Sequence, residues 1–325
     1  MNTLIPSNDF EYYILDSIYW NNFEKVISYI NSSISGNETQ GWVSYINKQF
    51  GTFDDGLFVS CGNGWVERDC FKEKLICSAS GFDISQKLIE KCIEEANKIG
   101  MPYDYRVEDA NKLTEINKKF NFIVNNGSIH HVAYIDQFTR AIASALHSDG
   151  IYIINDYTGP HRNQYSWEAW EAIISLNASI PKKYQINLVY PHMPTMLHTD
   201  PTEAIHSELQ MGVARRYFDI VQEVTLGGGV AYTLLYNNKT LYKEQNTAEG
   251  KATIDRIMQV DQELTKKIPN TSLFTFAVCQ KKKYLDQAKL DLWSSEEKNR
   301  EALALNLGGR YYSPTALELI YNKFS

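Results

Sequence analysis

Between residues 56 and 157 the chain alternates short apolar runs with amphipathic stretches. GLFVSCGNG is an apolar run ending in glycines, and WVERDCFKEK follows it with helical polarity. LICSASGFDIS repeats the step and ends on an acid. SQKLIEKCIEEANKIG then puts Leu88, Ile89, Cys92, Ile93 and Ala96 on one helical face. Ser85 suits the N-cap of that helix and Gly100 its stop. YDYRVEDANKL, FNFIVNNGSIHHV and DGIYIINDYTGP supply three more strand-to-loop units. This alternation predicts an α/β, doubly wound, mostly parallel sheet with helices on both faces. Ligands in such a fold bind beyond the carboxyl ends of the strands, so the loops there are where chemistry is expected.

The flanks read differently. Residues 8–50 form an aromatic helical cap, interrupted at 31–36 by turn formers. Residues 161–215 carry His161, His192, His198 and His206 among four prolines and many aromatics, which predicts an insertion over the site after the fifth strand. FDIVQEVTLGGGVAYTLLY reads as a strand, a bulge or hairpin bend at glycines 227–229, and a further apolar run. Residues 248–267 read as a helix and SLFTFAVCQKK as a last buried strand. The expected division is a cap at 1–50, a ligand-binding core at 51–157, an insertion at 158–215, and completion of the sheet with C-terminal helices at 216–325.

Composition narrows the class. Hydrophobic residues make up 43% and charged residues 22% of 325, which fits a folded domain and excludes a disordered, collagen-like or coiled-coil chain. No apolar run approaches the roughly 18–20 residues of a membrane span. The opening MNTLIPSNDFEYY lacks the basic and apolar regions of a signal peptide. Five cysteines, odd in number and without a CxxC pair, predict reduced thiols in the cytoplasm and no metal site. A net charge of −7 argues against a nucleic-acid partner.

Three signals stand at successive strand ends. Ser60, Cys61, Gly62, Asn63 and Gly64 form a strand-to-helix loop whose glycines admit a close ligand. It is not a phosphate-binding P-loop, because no GK[ST] follows. Asp83, followed by Ile84, lies 19 residues beyond Gly64, where an acid accepts both ribose hydroxyls of an adenosine. Asp109 and Ala110 follow the third strand, where Asp109 can accept from an adenine amino group. A nicotinamide-dependent oxidoreductase is disfavoured by the missing third glycine and the absent Tyr-x-x-x-Lys.

With these residues the chain resembles the class I S-adenosylmethionine-dependent methyltransferases over roughly 55–157. FVSCGNG stands for the glycine-rich motif, GFDIS for the ribose acid, VEDANKL for the adenine turn and FNFIVNNGSIHHV for the fourth-strand motif. Phe58 and Ser60 depart from the family, which often has an acid and a glycine there. The resemblance implies a seven-stranded Rossmann-like sheet and S-adenosylmethionine as cofactor. Ser60, Cys61, Gly62 and Gly64 would lie near the methionine moiety, Asp83 and Ile84 at the ribose, Asp109 and Ala110 at the adenine, with Asn126 and Gly127 flanking the donor.

YWNNFEKVISYINSSISG, INDYTGPHRNQYS and DPTEAIHSELQ are similar to a bacterial subgroup associated with surface-polysaccharide clusters. The leading expectation is O-methylation of a small polar acceptor: a sugar, a nucleotide-linked sugar, or a phosphate- or phosphoramidate-bearing precursor of a surface polysaccharide. His130 or His131 would take the acceptor proton, while Tyr157, Arg162, Gln164 and Tyr165 would touch the acceptor. Asp200 and Glu203, with His206 beyond, read either as a pocket wall or as the cap of a helix starting near Pro201. N-methylation of an amine, a non-catalytic cofactor binder and a homodimer stay open at this point.

Overall fold

The computed structural model describes residues 17–306; the readings for residues 8–16 and for the chain beyond 306 lie outside the described residues. The chain opens with α1 (Glu24–Ser35) and α2 (Trp42–Phe50), then enters β1 (Phe53–Val59), α3 (Trp65–Lys72), β2 (Ile76–Asp83), α4 (Gln86–Ile99) and β3 (Tyr103–Val107). β4 (Phe120–Asn126), α5 (Ile135–Ala145) and β5 (Leu146–Tyr157) follow. The next segment carries α6 (Trp167–Ser179), α7 (Met193–Thr199) and α8 (Gln210–Tyr217), without a strand. β6 (Phe218–Gly227), α9 (Ala231–Leu235), α10 (Lys239–Lys243), α11 (Ala248–Lys267), β7 (Phe274–Lys281) and α12 (Gln287–Asn306) complete it.

Seven strands form one sheet in the order β3-β2-β1-β4-β5-β7-β6. β1 to β5 run parallel, and β7 lies antiparallel between β5 and β6. The order reverses between β1 and β4, the switch point at which a doubly wound sheet opens a crevice at its carboxyl edge. Side chains alternate between faces with a period of two. Leu57, Val59, Ile123, Tyr152 and Ile154 enter one core, while Phe58, Phe122, Val124, Ile151 and Ile153 enter the other. Because both faces are covered there, the central strands β1, β4 and β5 carry continuous apolar runs, whereas the edge strands β3 and β6 do not.

A third cluster lies on the C-terminal side of the sheet. Trp20, Phe23 and Val26 from the N-terminal segment meet Tyr157, Trp170, Leu234 and Ile257 there. Ile18 and Asn237 tie this segment down, each donating its backbone N–H to an oxygen of the other. The aromatic N-terminal helices thus cover this chain's own core.

Three local readings need correction. α1 runs straight through residues 31–35, because Ser35 bonds back to Asn31 O and its apolar face stays packed; only Gly36, at φ 76°, ends it. No helix starts near Pro201. The Asp200 carboxylate accepts from the Thr202 and Glu203 N–H groups and the Thr202 hydroxyl, which closes a turn instead. Of the bulge or hairpin bend expected at glycines 227–229, a bulge-like register shift between Thr225 and Gly227 is present, but no hairpin follows, for the glycines lead into α9. Buried Asp261 on α11 accepts from the N–H groups of Gly228, Val230 and Ala231. Among the described residues no helix is long and apolar enough to cross a membrane.

Replacing Asp261 with Ala would leave three buried donors unmet. We expect a loss of about 3–5 kcal/mol in urea unfolding, with Asp261→Asn costing clearly less because it keeps an acceptor oxygen.

Candidate active site

One half of the candidate site is made where β1, β2 and β4 end. After β1 the chain turns through left-handed backbone at Ser60 (φ 47°), Gly62 (φ 58°) and Gly64 (φ 73°). Gly62 N–H donates to Asp83 Oδ2 at 2.9 Å and Ser85 N–H to Oδ1 at 2.9 Å, so the acid at the end of β2 shapes the loop beside it. Burial pushes the Asp83 carboxyl upward in pKa, against the lowering pull of these amides. A Cβ on Gly62 or on Gly127 (φ 67°) would meet nothing within 4 Å. Two loops therefore expose bare backbone to open space across the switch point, a cradle that fits an adenosyl donor.

Ile84 is exposed beside Asp83. Asp109 Oδ1 accepts from Asn111 N–H, and Oδ2 lies 3.1 Å from Lys112 Nζ, with Ala110 opening the short turn between them. Asn111 Oδ1 in turn accepts from Ala133 N–H at 2.7 Å, joining this turn to the loop after β4. Asn126 Oδ1 accepts from Asn155 Nδ2, and Gly127 N–H from the next residue donates to Asn155 O.

Beneath the glycine loop, Cys61, Cys92 and Glu67 converge. Glu67 is fully buried and neither carboxyl oxygen accepts a well-formed hydrogen bond. Burial raises its pKa to about 8, only partly offset by its own backbone amide, Arg68 and the Cys61 thiol. An unfolded Glu releases its proton near pH 4.3. Between that pH and about 8 the unfolded chain is ionised while the folded chain still holds the proton. Stability from this group is therefore full below the window and falls as pH rises through it. We expect Glu67→Gln to remove a slope of up to about 1.4 kcal/mol per pH unit from urea unfolding measured across pH 5–8.

The other half of the site is organised by Asp156, near the end of β5 and buried completely at its side chain. Its Oδ2 accepts from Asn125 Nδ2 (2.7 Å), Ser128 N–H (3.0 Å) and Ile129 N–H (2.8 Å). Its Oδ1 lies 2.6 Å from His130 Nδ1. Burial alone would raise the Asp156 pKa, but the His130 charge outweighs it and holds the carboxyl low. Burial likewise depresses His130, and Asp156 overrides it, lifting the imidazole to about 9. His131 stands farther from its carboxylates, 3.7 Å from Asp200 Oδ2 and 3.6 Å from Glu203 Oε2; burial and the neighbouring His130 charge outweigh them and push it down.

Residues 200–205 close over the two imidazoles. Ile205 N–H donates to His130 O and Arg162 N–H to Ala204 O. Glu203 Oε2 stands 3.8 Å from His130 Nε2 and 3.6 Å from His131 Nε2, and His131 Nδ1 lies 3.2 Å from Thr202 Oγ1. Arg162 and Ala204 both adopt left-handed backbone, at φ 55° and 49°. Strain of this kind persists only where the surroundings enforce it.

Of the residues expected at the acceptor, Tyr157 lies beside His130 with ring centroids 6.0 Å apart. Arg162 is buried behind the cluster, with Nη1 donating to Glu203 O. Gln164 Nε2 donates to the carbonyls of Arg162 and Pro191, and Tyr165 stacks on Trp170. A wall of aromatic rings runs from Tyr157 through Phe274, Tyr232 and Tyr236 to Tyr19. Sequence reasoning missed Asp156 as the organiser and Glu203 as the third polar arm. The signals were present, an acid ending β5 and the DPTE turn, but nothing in the sequence brings residue 203 to residue 130.

Residues 57–154 match the family described as Methyltransferase domain. The matched segment runs from β1 into β5 and holds the glycine loop, Asp83 and the loop after β4, so this part of the chain is similar to a methyltransferase domain. The chain is 30% identical over 114 residues to a ubiquinone biosynthesis O-methyltransferase of Bartonella bacilliformis, covering 35% of this chain and 43% of that protein. A protein of the same description from Chelativorans sp. is 33% identical over 98 residues, 30% of this chain and 38% of that one. The chain thus spans less than half the length of the curated relatives it matches. Among solved structures, StiE O-MT aligns with a TM-score of 0.46 at 12% identity, covering 88% of this chain and 93% of that one. The MccD protein aligns with a TM-score of 0.44 at 16% identity, covering 74% and 96%.

Proposed function

We propose that the protein transfers the methyl group of S-adenosylmethionine to a hydroxyl of a small polar acceptor. The observation that carries this reading is the double use of Asp156. One oxygen shapes the loop that borders the donor cradle, and the other holds His130 at the acceptor side. Donor and acceptor groups are thereby fixed to one rigid strand end. Methyl transfer is an in-line displacement, for which alignment and proton removal from the nucleophile are the main demands on a protein.

Gly62 and Gly64, with Ser60 and Cys61, would face the methionine portion. Asp83 and Ile84 would face the ribose, Asp109 and Ala110 the adenine, and Asn126 and Gly127 the sulfonium. The acceptor hydroxyl would lose its proton at the cluster of His130, His131 and Glu203. The tyrosine wall supports an acceptor with a ring to stack, and we assign a sugar or nucleotide-linked sugar. The link to surface polysaccharide rests on the INDYTGPHRNQYS and DPTEAIHSELQ segments alone; the curated relatives named above carry a different one. Arg162, placed behind Glu203, would act by positioning that residue.

Calorimetry with S-adenosylmethionine and S-adenosylhomocysteine tests the donor half. Micromolar binding is expected, weakened at least about tenfold in Asp83→Ala; no binding of either compound would overturn the reading. With radiolabelled donor and a panel of sugars and sugar nucleotides, the double variant His130→Asn, His131→Asn should lose about 100-fold or more in rate. An unchanged rate would instead favour methylation of an amine, which needs no base.

A further inference from the structure

His130, His131 and Glu203 form, we propose, a binding site for one divalent transition-metal ion. The argument begins with the two imidazoles. His130 Nδ1 faces Asp156 Oδ1 at 2.6 Å, and a carboxylate there accepts the Nδ1 proton. The Thr202 hydroxyl donates to Asp200 Oδ1 at 2.8 Å, which leaves its lone pair for His131 Nδ1–H at 3.2 Å. Both rings are thus held with a proton on Nδ1, which makes Nε2 the nitrogen left to a ligand; on His130 an ion there would displace the second proton that Asp156 supports. Both Nε2 atoms then point to the same oxygen, Glu203 Oε2, at 3.8 and 3.6 Å.

The second proton on His130 answers the Glu203 oxygen from one side, while the His131 Nε2 lone pair faces the same oxygen from the other. A proton can bridge one such contact at a time; a divalent ion bridges all three. Metal–nitrogen and metal–oxygen bonds near 2.1 Å place tetrahedral ligand atoms about 3.4 Å apart, within a few tenths of an ångström of the two Nε2–Oε2 spacings here. The ring partners on Nδ1 are those that orient metal-bound histidines elsewhere. The side chains are 12%, 24% and 29% exposed, so solvent and substrate both reach the site. The Glu203 arm is braced as well: Oε1 accepts from Asn163 Nδ2, and Arg162 holds the carbonyl.

Two imidazoles and one carboxylate favour manganese, iron, cobalt or zinc over magnesium and calcium, which take oxygen ligands. Three protein ligands leave positions open for an acceptor oxygen. An ion at that point draws the proton affinity of a coordinated hydroxyl down towards neutral pH. The inference concerns the acceptor half of the site proposed above and rests, for that role, on the methyl-transfer reading.

The test is titration of metal-free protein with cobalt(II) and zinc(II), read by calorimetry and by the visible absorption of bound cobalt. One ion per chain is expected, weakened roughly tenfold or more in Glu203→Gln and in His131→Asn. Glu67→Gln, in the separate cysteine-lined cluster, should bind as wild type does, and millimolar magnesium should not compete. Circular dichroism of the same samples confirms that each variant is folded, and S-adenosylmethionine binding is measured beside it. Wild type that binds S-adenosylmethionine but no cobalt or zinc would overturn the metal site and leave the methyltransferase reading standing. Binding unaffected by Glu203→Gln would overturn it equally. Cobalt binding lost in Glu203→Gln, in protein that binds no S-adenosylmethionine, would support the metal site and defeat the methyl-transfer reading.

Discussion

A buried carboxylate is costly unless every lone pair is met, and Asp156 is where this protein confronts that constraint. Moving an ionised group out of water costs several kcal/mol even after relaxation. Here the charge is answered by the Asn125 amide, the N–H groups of Ser128, Ile129 and Tyr157, and the His130 imidazole. Because all of these must point at one carboxyl, the loop after β4 has little freedom. The β4 loop, the end of β5 and the first histidine are consequently one unit.

The same device recurs twice. Asp83 gathers the N–H groups of Gly62 and Ser85, and Asp261 gathers those of Gly228, Val230 and Ala231. In each case an acid on one element collects amides that a turn would otherwise leave unmet. The glycine loops are therefore shaped by carboxylates and need no ligand to hold their form. For the proposed donor the backbone would already be arranged, which reduces the ordering cost of binding.

The acceptor side is built less economically. Arg162 and Ala204 adopt backbone conformations that disfavour side chains, and the Arg162 guanidinium is withdrawn from solvent to hold the Glu203 carbonyl. The N-terminal segment adds Tyr19 and Trp20 to the same wall, packed on Tyr236 and Phe274. Groups distant in sequence are thus brought to one side of the sheet. Strain and burial there serve the placement of Glu203 opposite two imidazoles.

The sequence by itself determined the sheet. Alternating apolar runs and amphipathic helices, with Ser85 and Gly100 at the ends of α4, require no partner beyond local geometry, and they gave five parallel strands and the loops at their ends. The residues proposed to face a donor could be picked out for the same reason, since each sits one step beyond an apolar run. Tertiary structure alone decided the course of α1 through 31–35, where packing overrode turn-forming residues. It also decided the fate of glycines 227–229, which answer to Asp261 some thirty residues later. Above all it decided the third polar arm. His130 and His131 are adjacent in the chain, but Glu203 reaches them through a turn closed by Asp200, and no periodicity or spacing encodes a contact between side chains 72 residues apart.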